Sequence, residues 1–181
     1  METGVSTRVT LGEFLANPDI HYFDLHELHN GEIVEVSPPS RRHVEIQVKL
    51  ERLLQAALSS DYIVWREFYY TLPTEARRAD VAVVSKQRWE GPPSKTFFGA
   101  PDLIIEILSP SNTAADLTHL RRACFANGSE QFWILDPFDK VVEIYRKPPS
   151  EWQEFGYVES SKIHFQFAGK EHELDVRTIF D

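Results

Sequence analysis

The sequence predicts a single α/β domain of the α+β kind, in which a sheet is flanked by helices. The chain has 181 residues, enough for one substantial hydrophobic core and too few for two ordinary domains. Apolar residues recur at helical spacing in two segments, and runs of β-branched and aromatic residues lie around and between them. We therefore expect residues 1–181 to form one domain that contains both kinds of element.

The first part of the chain predicts a helix, a hairpin and a second, longer helix. A capping-box pattern opens a short helix at 11–15. An Asn-Gly step then predicts an antiparallel hairpin between 22–27 and 32–36. Apolar residues at helical spacing predict a helix at 42–58. His43 lies on the inward stripe of that helix, where a histidine either packs in the core or serves a site.

Three strands with buried character follow. The segment 62–72 is aromatic or β-branched on both faces, which is typical of a long strand covered on both sides. The segments 79–84 and 103–108 are apolar runs, each interrupted by one acid. The polar stretch 74–78 predicts a turn, and 85–100, with two prolines and two glycines, predicts a surface loop.

The last part of the chain predicts one more helix and a series of strands. A capping pattern opens the helix at 113–126. Two strands follow at 132–135 and 141–145, joined by a turn. Weaker alternation at 155–158 and 163–167 predicts a late hairpin.

Composition limits the kinds of function open to the chain. The formal net charge of -9 repels a phosphate backbone unless a basic patch or bound cations reverse the field locally, which argues against tight nucleic-acid binding. The single cysteine, Cys124, excludes an intramolecular disulfide and a thiolate-rich zinc site within one chain. No apolar run approaches the roughly 20 residues that span a bilayer, and the N-terminus lacks a secretory pattern, so we expect a cytoplasmic protein.

Two acids are the strongest candidates for chemistry. Asp80 and Glu106 each interrupt a strand that is otherwise apolar. A carboxylate in such surroundings is costly unless it is paired, protonated or bound to a metal. Two acids on neighbouring core strands can share one divalent ion. Ion pairs with Arg66, Arg77 or Arg121 would also satisfy them, and these residues alone favour neither interpretation.

An ordered series of motifs runs through the chain. Its members are Asn30-Gly31-Glu32, Ser37-Pro38-Pro39, His43, Asp80 followed by Val81 to Val84, the run from Pro101 to Ser111 around Glu106, Asp116, Gly128, and the run from Phe132 to Asp136. This series resembles the Uma-type restriction endonuclease family of the PD-(D/E)XK nuclease-like superfamily. The resemblance extends over about residues 23–147.

The resemblance implies a restriction-endonuclease-like fold, a mixed central sheet flanked by helices. It places a nuclease-like core at about 22–147 and a C-terminal β extension at about 148–181. It implies that Asp80 and Glu106 bind Mg²⁺ or Mn²⁺, which would activate a water and neutralise charge on a DNA phosphate, and that the first long helix supplies His43.

Two further acids fall where the family tends to have acids. Glu32 and Glu67 could orient the metal ion or its water, or they could be ordinary solvated or salt-bridged acids. Nuclease-fold proteins that cut both strands are commonly dimers, so a homodimer is also expected. The strands at 132–135 and 141–145, or the late hairpin, are candidate dimer edges.

The chain departs from the resembled family at the lysine. In the superfamily a lysine follows the glutamate by two residues, and here that residue is Leu108. In the resembled family the lysine lies on the following helix, where this chain has Leu120. Arg121 borders the inward stripe of that helix and could stabilise phosphate charge, but it cannot exchange a proton with the attacking water. His43 or His119 could exchange that proton.

Two hypotheses remain open from the sequence. The first is a metal-dependent endonuclease acting on DNA, with Asp80, Glu106, His43 and Arg121 as catalytic residues. The second is a catalytically inactive relative that acts as a binding or scaffold protein, motivated by the two leucines at the lysine positions and by the acidic net charge.

Overall fold

The structure is a computed structural model that describes residues 8–19, 26–90, 96–110, 112–146 and 153–181. The helices are α1 Leu11–Ala16, α2 Arg41–Ala57, α3 Lys86–Trp89, α4 Ala114–Ala126 and α5 Val176–Phe180. The strands are β1 His26–His29, β2 Glu32–Glu35, β3 Tyr62–Leu72, β4 Glu75–Ser85, β5 Phe97–Phe98, β6 Leu103–Ile107, β7 Gln131–Asp136, β8 Val141–Arg146, β9 Gln153–Val158, β10 Lys162–Phe167 and β11 Lys170–Asp175.

A mixed sheet forms the centre of the molecule, as the family resemblance implied. Its strands follow the order β2-β1-β4-β6-β7-β8-β9, with β3 also paired to β4 and the short β5 paired to β3. Strands β6 and β7 are parallel, and the neighbouring pairs β4–β6 and β7–β8 are antiparallel. Beside them, β10 and β11 form a separate hairpin.

Helices cover both faces of this sheet, so there are two core layers. On one face, α2 packs its apolar stripe against the odd-numbered residues of β6 and against the β10–β11 hairpin and α5. On the other face, α4 packs against Ile104 and the neighbouring strands. Cys124 lies buried on α4 in this second layer, where burial raises the pKa of its thiol to about 12. We call these two faces the α2 side and the α4 side.

The alternation of side chains between the two faces shifts by one residue in the middle of β3 and β4. Residues two apart in a regular strand share a face. However, Val64 of β3 lies on the α2 side and Phe68 on the α4 side. Likewise Val81 of β4 lies on the α2 side and Ala79 on the α4 side. The paired strands therefore change phase together, between the pairs Arg66–Val81 and Phe68–Ala79.

The residues at the phase change are Glu67 and Asp80, which lie between these two pairs and are not themselves paired in the β3–β4 register. Glu67 has a φ of 52°, in the left-handed region that side-chain-bearing residues seldom adopt. This conformation turns two consecutive β3 side chains, those of Arg66 and Glu67, towards α2. The fold therefore presents two acids of adjacent strands at an irregular point in the sheet.

Several expectations from the sequence need correction. The stretch 74–78 was expected to be a turn, but β4 already begins at Glu75. The expected surface loop at 85–100 contains α3 and β5. The late hairpin was assigned to the wrong strands, because β9 pairs with β8 and β10 pairs with β11.

The expected dimer edges and the entry hairpin also need comment. Strands β7 and β8 both have neighbours on either side, so neither is an edge of the sheet. Residues 22–25 of the expected entry hairpin lie outside the described residues, and β1 and β2 pair as expected across Asn30 and Gly31. Among the described helices, none is both long and apolar enough to cross a membrane.

Candidate active site

Asp80 lies where β4 and β6 separate. The two strands pair from Val83–Leu103 to Val81–Ile105. Asp80 precedes Val81 on β4, and here a side chain, not the β4 backbone, bonds to β6. The Asp80 Oδ2 accepts a hydrogen bond of 2.7 Å from the Ile107 amide. The carboxylate is thus fixed between two strands, on the α2 side of the opening.

Helix α2 supplies two further donors to Asp80. The His43 Nε2 lies 2.7 Å from Asp80 Oδ1, and the Gln47 Nε2 donates to the same oxygen at 3.1 Å. Ser40 caps the helix by accepting from the His43 amide at 3.2 Å, which fixes the first turn. His43 and Gln47 are one turn apart on one face, so their side chains reach the same place.

The charge around His43 raises the pKa of its imidazole. Burial lowers the pKa of this imidazole, but the hydrogen bond to Asp80 and the charges of Asp80 and Glu67 outweigh burial, so the pKa is raised above its usual value. Because an ionised Asp80 can only accept, the hydrogen bond requires a proton on the His43 Nε2. His43 is therefore oriented by Asp80 with its other ring nitrogen, Nδ1, not engaged by that bond.

Glu67 joins the same group from β3. Its Oε1 accepts a hydrogen bond from Gln47, and its Oε2 lies 2.9 Å from the Arg78 Nε. The Arg78 charge also reaches His43, whose pKa it lowers slightly. Gln47 is 1% exposed, so its two hydrogen bonds satisfy a buried amide. The left-handed conformation of Glu67 is what allows this contact with α2.

Glu106 is the least satisfied acid of the group. It pairs in the ladder with Ile134, a residue of the α4-side core, so its side chain points to the α4 side. Its pKa is raised well above the usual value, first by burial, then by the charge of Asp80 and by those of Glu27 and Glu67, with only Arg77 acting in the opposite direction. Among the described residues, no hydrogen bond to this carboxylate offsets its burial.

None of the three arginines considered from the sequence forms an ion pair with Asp80 or Glu106. Arg66 binds Glu51 of α2, with Nε to Oε2 at 2.6 Å. Arg77 binds Glu75 of its own strand, with Nε to Oε2 at 2.7 Å. The arginine pairing considered as an alternative to a metal site is therefore absent for Asp80 and Glu106 within the described part of the chain, and the partner of Asp80 is His43 instead.

Arg121, the third arginine, lies on the α4 side in a different setting. Its guanidinium stacks on the Tyr145 ring, 3.6 Å from the ring centroid, and its Nε is buried without a hydrogen-bond partner among the described residues. It lines a cleft of about 350 Å³ together with Leu108 and Ile134. Because Ile134 is the ladder partner of Glu106, this cleft adjoins the Glu106 strand.

The other residues considered from the sequence lie as follows. Leu120 is buried and Leu108 partly buried, both in the α4-side core. The two positions where the family or superfamily has a lysine therefore hold apolar side chains that pack in this core. His119 lies 2.9 Å from Glu75. Glu32 is exposed on β2, opposite His29, and the structure does not bring it to Asp80 and Glu106.

Three residues of this group were missed from the sequence. Gln47 follows His43 by one helical turn, a spacing that could have indicated a shared face. Arg78 was assigned to a turn rather than to β4. Glu27, which accepts from the Arg78 amide at 3.2 Å, raises the pKa of Glu106 and gave no signal in the sequence.

The chemistry of the group suits a hard divalent cation. Carboxylate oxygens are the preferred ligands of Mg²⁺ and Mn²⁺, and Asp80, Glu27 and Glu67 all raise the pKa of Glu106, so negative charge is in excess there. Within the described ranges, no three histidine, cysteine, aspartate or glutamate side chains already form a ligand set. The residues fit such an ion by the chemistry of their donor atoms.

Comparisons with known proteins agree with this fold. The family model described as Uma2, putative restriction endonuclease, matches residues 12–170. A crystal structure described as a putative nuclease belonging to DUF820 from Anabaena variabilis ATCC 29413 is similar, with a TM-score of 0.78 and 26% identity. The match covers 95% of this chain and 97% of that one. No protein of curated function matches the sequence.

Proposed function

The chain belongs to the Uma2 family of putative restriction endonucleases, and on that premise we propose that it is a divalent-metal-dependent endonuclease that hydrolyses phosphodiester bonds in DNA. The main observation behind this proposal is the position of Asp80. Three hydrogen-bond donors fix its carboxylate where β4 and β6 separate. The charge of Asp80 acts on Glu106, whose carboxyl has no hydrogen-bond partner among the described residues. We expect this activity in the cytoplasm.

Asp80, with Glu67 as an additional carboxylate, would hold the ion from the α2 side where β4 and β6 separate, and Glu106 would reach it from the α4 side. A bound Mg²⁺ or Mn²⁺ supplies Lewis acidity, which lowers the pKa of a water and offsets charge on the phosphate. Gln47 positions Asp80 and Glu67 relative to each other by donating to both. Glu32, exposed on β2, is left out of this site.

His43 is the candidate for proton exchange with the attacking water. Asp80 holds the His43 Nε2 proton, which leaves Nδ1 as the acceptor of a second proton. The imidazolium formed in this way is stabilised by the charges of Asp80 and Glu67. The pair therefore supplies the proton transfer that a lysine supplies elsewhere in the superfamily.

Positive charge for the phosphate can come from two arginines. Arg121 lines the cleft that adjoins the Glu106 strand, its Nε has no hydrogen-bond partner among the described residues, and a planar guanidinium suits phosphate oxygens. Arg78 lies on the other side, bound to Glu67. Local cations of this kind, together with the metal ion, would offset the net charge of -9 that opposes DNA binding.

A homodimer would place two such sites in one assembly, so that both strands of a duplex could be cut.

A second candidate function is a catalytically inactive relative that binds a partner. The observation that favours it is the apolar packing of Leu108 and Leu120 in the α4-side core. In that case the Asp80 group would serve stability alone.

Plasmid cleavage distinguishes the two functions. Supercoiled plasmid is incubated with the purified protein in Mn²⁺, in Mg²⁺ and in EDTA, beside an Asp80→Asn, Glu106→Gln double variant and a Phe138→Ala control at an exposed turn. We expect metal-dependent nicking or cutting by the wild type and the control, and none by the double variant. Equal cutting by the double variant, or no cutting of any DNA or RNA substrate by correctly folded wild type, would refute the nuclease.

A further inference from the structure

Gln47 is a buried amide that joins two acids of the candidate site. Its Nε2 donates to Asp80 Oδ1 at 3.1 Å and also donates to Glu67 Oε1. An amide nitrogen carries two protons, so these two bonds use both of them. The carbonyl oxygen at the other end of the amide, Oε1, forms no hydrogen bond with a described residue. Within the described part of the chain, the acids therefore engage the donor end of Gln47 fully and its acceptor end not at all.

The two oxygens that face Gln47 are the ones with room for an ion. The other oxygen of Asp80, Oδ2, accepts from a backbone amide of β6, and the other oxygen of Glu67, Oε2, binds Arg78. Asp80 Oδ1 also accepts from His43, and it would keep this bond if the Gln47 amide turned over. An ion shared by Asp80 and Glu67 on the α2 side would therefore meet the Gln47 amide as well.

The spacing at Gln47 suits a further ligand of such an ion. Neighbouring oxygen ligands of an octahedral Mg²⁺ are about 3.0 Å apart, since each lies about 2.1 Å from the ion. The Gln47 Nε2 lies 3.1 Å from Asp80 Oδ1. Half a turn about the last side-chain bond exchanges the nitrogen and the oxygen of an amide and leaves the rest of the side chain in place. The carbonyl oxygen would then lie beside Asp80 at the spacing of a second ligand.

The presence of an ion decides which end of the amide is favoured beside the acids. Without an ion the amino group is favoured, because a carbonyl oxygen there would face two carboxylates with no proton between them. With an ion the order reverses, because amide carbonyls are good ligands of hard divalent cations and amide protons are repelled by them. The Gln47 side chain is buried, so it responds by turning in place rather than by swinging into solvent. The equilibrium shifts towards the orientation that binds the ion more tightly.

We propose that Gln47 is a ligand of the divalent ion, and that its amide turns over when the ion binds, so that the carbonyl oxygen replaces the amino group beside Asp80 and Glu67. This rests on the proposed nuclease function and adds a neutral ligand from α2 to the carboxylates of the same site. In the metal-free protein the same side chain holds the two acids together, which keeps the ligands close to each other before the ion arrives.

Metal binding in the absence of DNA tests the Gln47 ligand. Mn²⁺ affinity is measured by isothermal titration calorimetry for the wild type, Gln47→Leu and Gln55→Leu, a matched control at an exposed position of the same helix. Removal of a group that only supports a metal ligand costs roughly 10- to 100-fold in affinity, so we expect at least that loss in Gln47→Leu and none in Gln55→Leu. Unchanged or tighter binding by folded Gln47→Leu would overturn the proposal.

The side-chain amide signals of the wild type separate a ligand from a residue that only holds the acids in place. In isotope-labelled protein the Gln47 signals are identified by their absence from the spectrum of Gln47→Leu. In EDTA we expect both Gln47 protons downfield of the Gln55 protons and in slow exchange with water, because carboxylates bind them in a buried place. Saturation with Mg²⁺ should remove this downfield shift and leave the Gln55 signals unmoved. A downfield shift that persists in the Mg²⁺-saturated protein would show that the protons stay on the acids, and Gln47 would then not be a ligand.

The same measurements distinguish failure of the Gln47 ligand from failure of the nuclease. Metal binding with unmoved Gln47 signals would remove the ligand and keep the metal-dependent nuclease. A wild-type protein that binds neither Mn²⁺ nor Mg²⁺ would remove both. Gln47 signals that move with Mg²⁺ in a protein that cuts no plasmid would keep the ligand and remove the nuclease.

Discussion

Glu75 and Glu106 both lie on the α4 side of the sheet, the first fully buried and the second partly buried, yet their surroundings differ in kind. Glu75 is fully buried, and its two oxygens bind Arg77 at 2.7 Å and His119 at 2.9 Å. Glu106 has no such partner among the described residues, and other carboxylates raise its pKa. One acid is satisfied by the protein itself, and the other is the one that we propose as a metal ligand.

This difference separates a structural acid from a functional one. An acid that the fold pairs completely has its charge neutralised and contributes to the native structure alone. An acid whose ionised form is disfavoured by its neighbours is the kind found at catalytic and metal sites. Asp80 shares features of both, because donors fix it and yet it lies beside Glu106. The comparison predicts opposite effects on stability for substitutions at the two positions.

The largest expected effect is the loss of stability on substituting Glu75. Glu75→Ala removes the short ion pair of the buried Arg77 and leaves it the longer contact with Glu27, at 3.7 Å, so the free energy of unfolding should fall by roughly 3 kcal/mol. Urea denaturation monitored by circular dichroism measures it. The matched control is Glu173→Ala, which removes an exposed ion pair with Lys162 and should have little effect. Similar losses in the two variants would mean that Glu75 is not a structural acid.

Substituting Glu106 should have the opposite sign. Glu106→Gln removes a carboxyl that is costly to ionise, so in EDTA at pH 7 the variant should be more stable by about 1–3 kcal/mol. The direction with pH follows from linkage. The folded-state pKa lies above the usual 4.5, so as pH rises from 4.5 the unfolded state releases a proton that the folded state keeps, and wild-type stability falls.

Urea denaturation at several pH values therefore checks the Glu106 prediction. The advantage of Glu106→Gln should be absent near pH 4 and should grow as pH rises towards neutrality. A variant that is less stable than wild type at pH 7, or equally shifted at pH 4 and pH 7, would mean that Glu106 has a partner and is a structural acid like Glu75.

The same contrast explains which parts of the fold the sequence could predict. Strand β3 was predicted with its observed bounds because apolar residues mark both of its faces. The first half of β4 was mistaken for a turn because its buried side chains include Glu75 and Arg77, which satisfy each other and show no apolar pattern. The β10–β11 hairpin was missed because Ala168 and Gly169, both with positive φ, form its turn without the usual Asn-Gly signal.

The candidate site was partly predictable for a related reason. Asp80 and Glu106 were identified because charges stand out in apolar strands, and His43 because it lies on an inward stripe. Gln47 and Arg78 were not identified, because their roles depend on the phase change that begins at Glu67. A left-handed residue inside a strand leaves no mark in the hydrophobic pattern, so only the three-dimensional structure reveals it.

The smallest expected effect tests that phase change directly. At an ordinary strand position glycine is less stable than alanine by about 0.5–1 kcal/mol, but at a left-handed position the order reverses. Glu67→Gly and Glu67→Ala both lose the contacts with Gln47 and Arg78, so that loss cancels when the two are compared. We expect the glycine variant to be more stable by about 1 kcal/mol in urea denaturation. Tyr69, two residues further along β3, provides the matched pair, where alanine should be the more stable. An alanine preference at both positions would show that Glu67 carries no backbone strain, and the acid cluster would then lack the stored strain that is typical of functional sites.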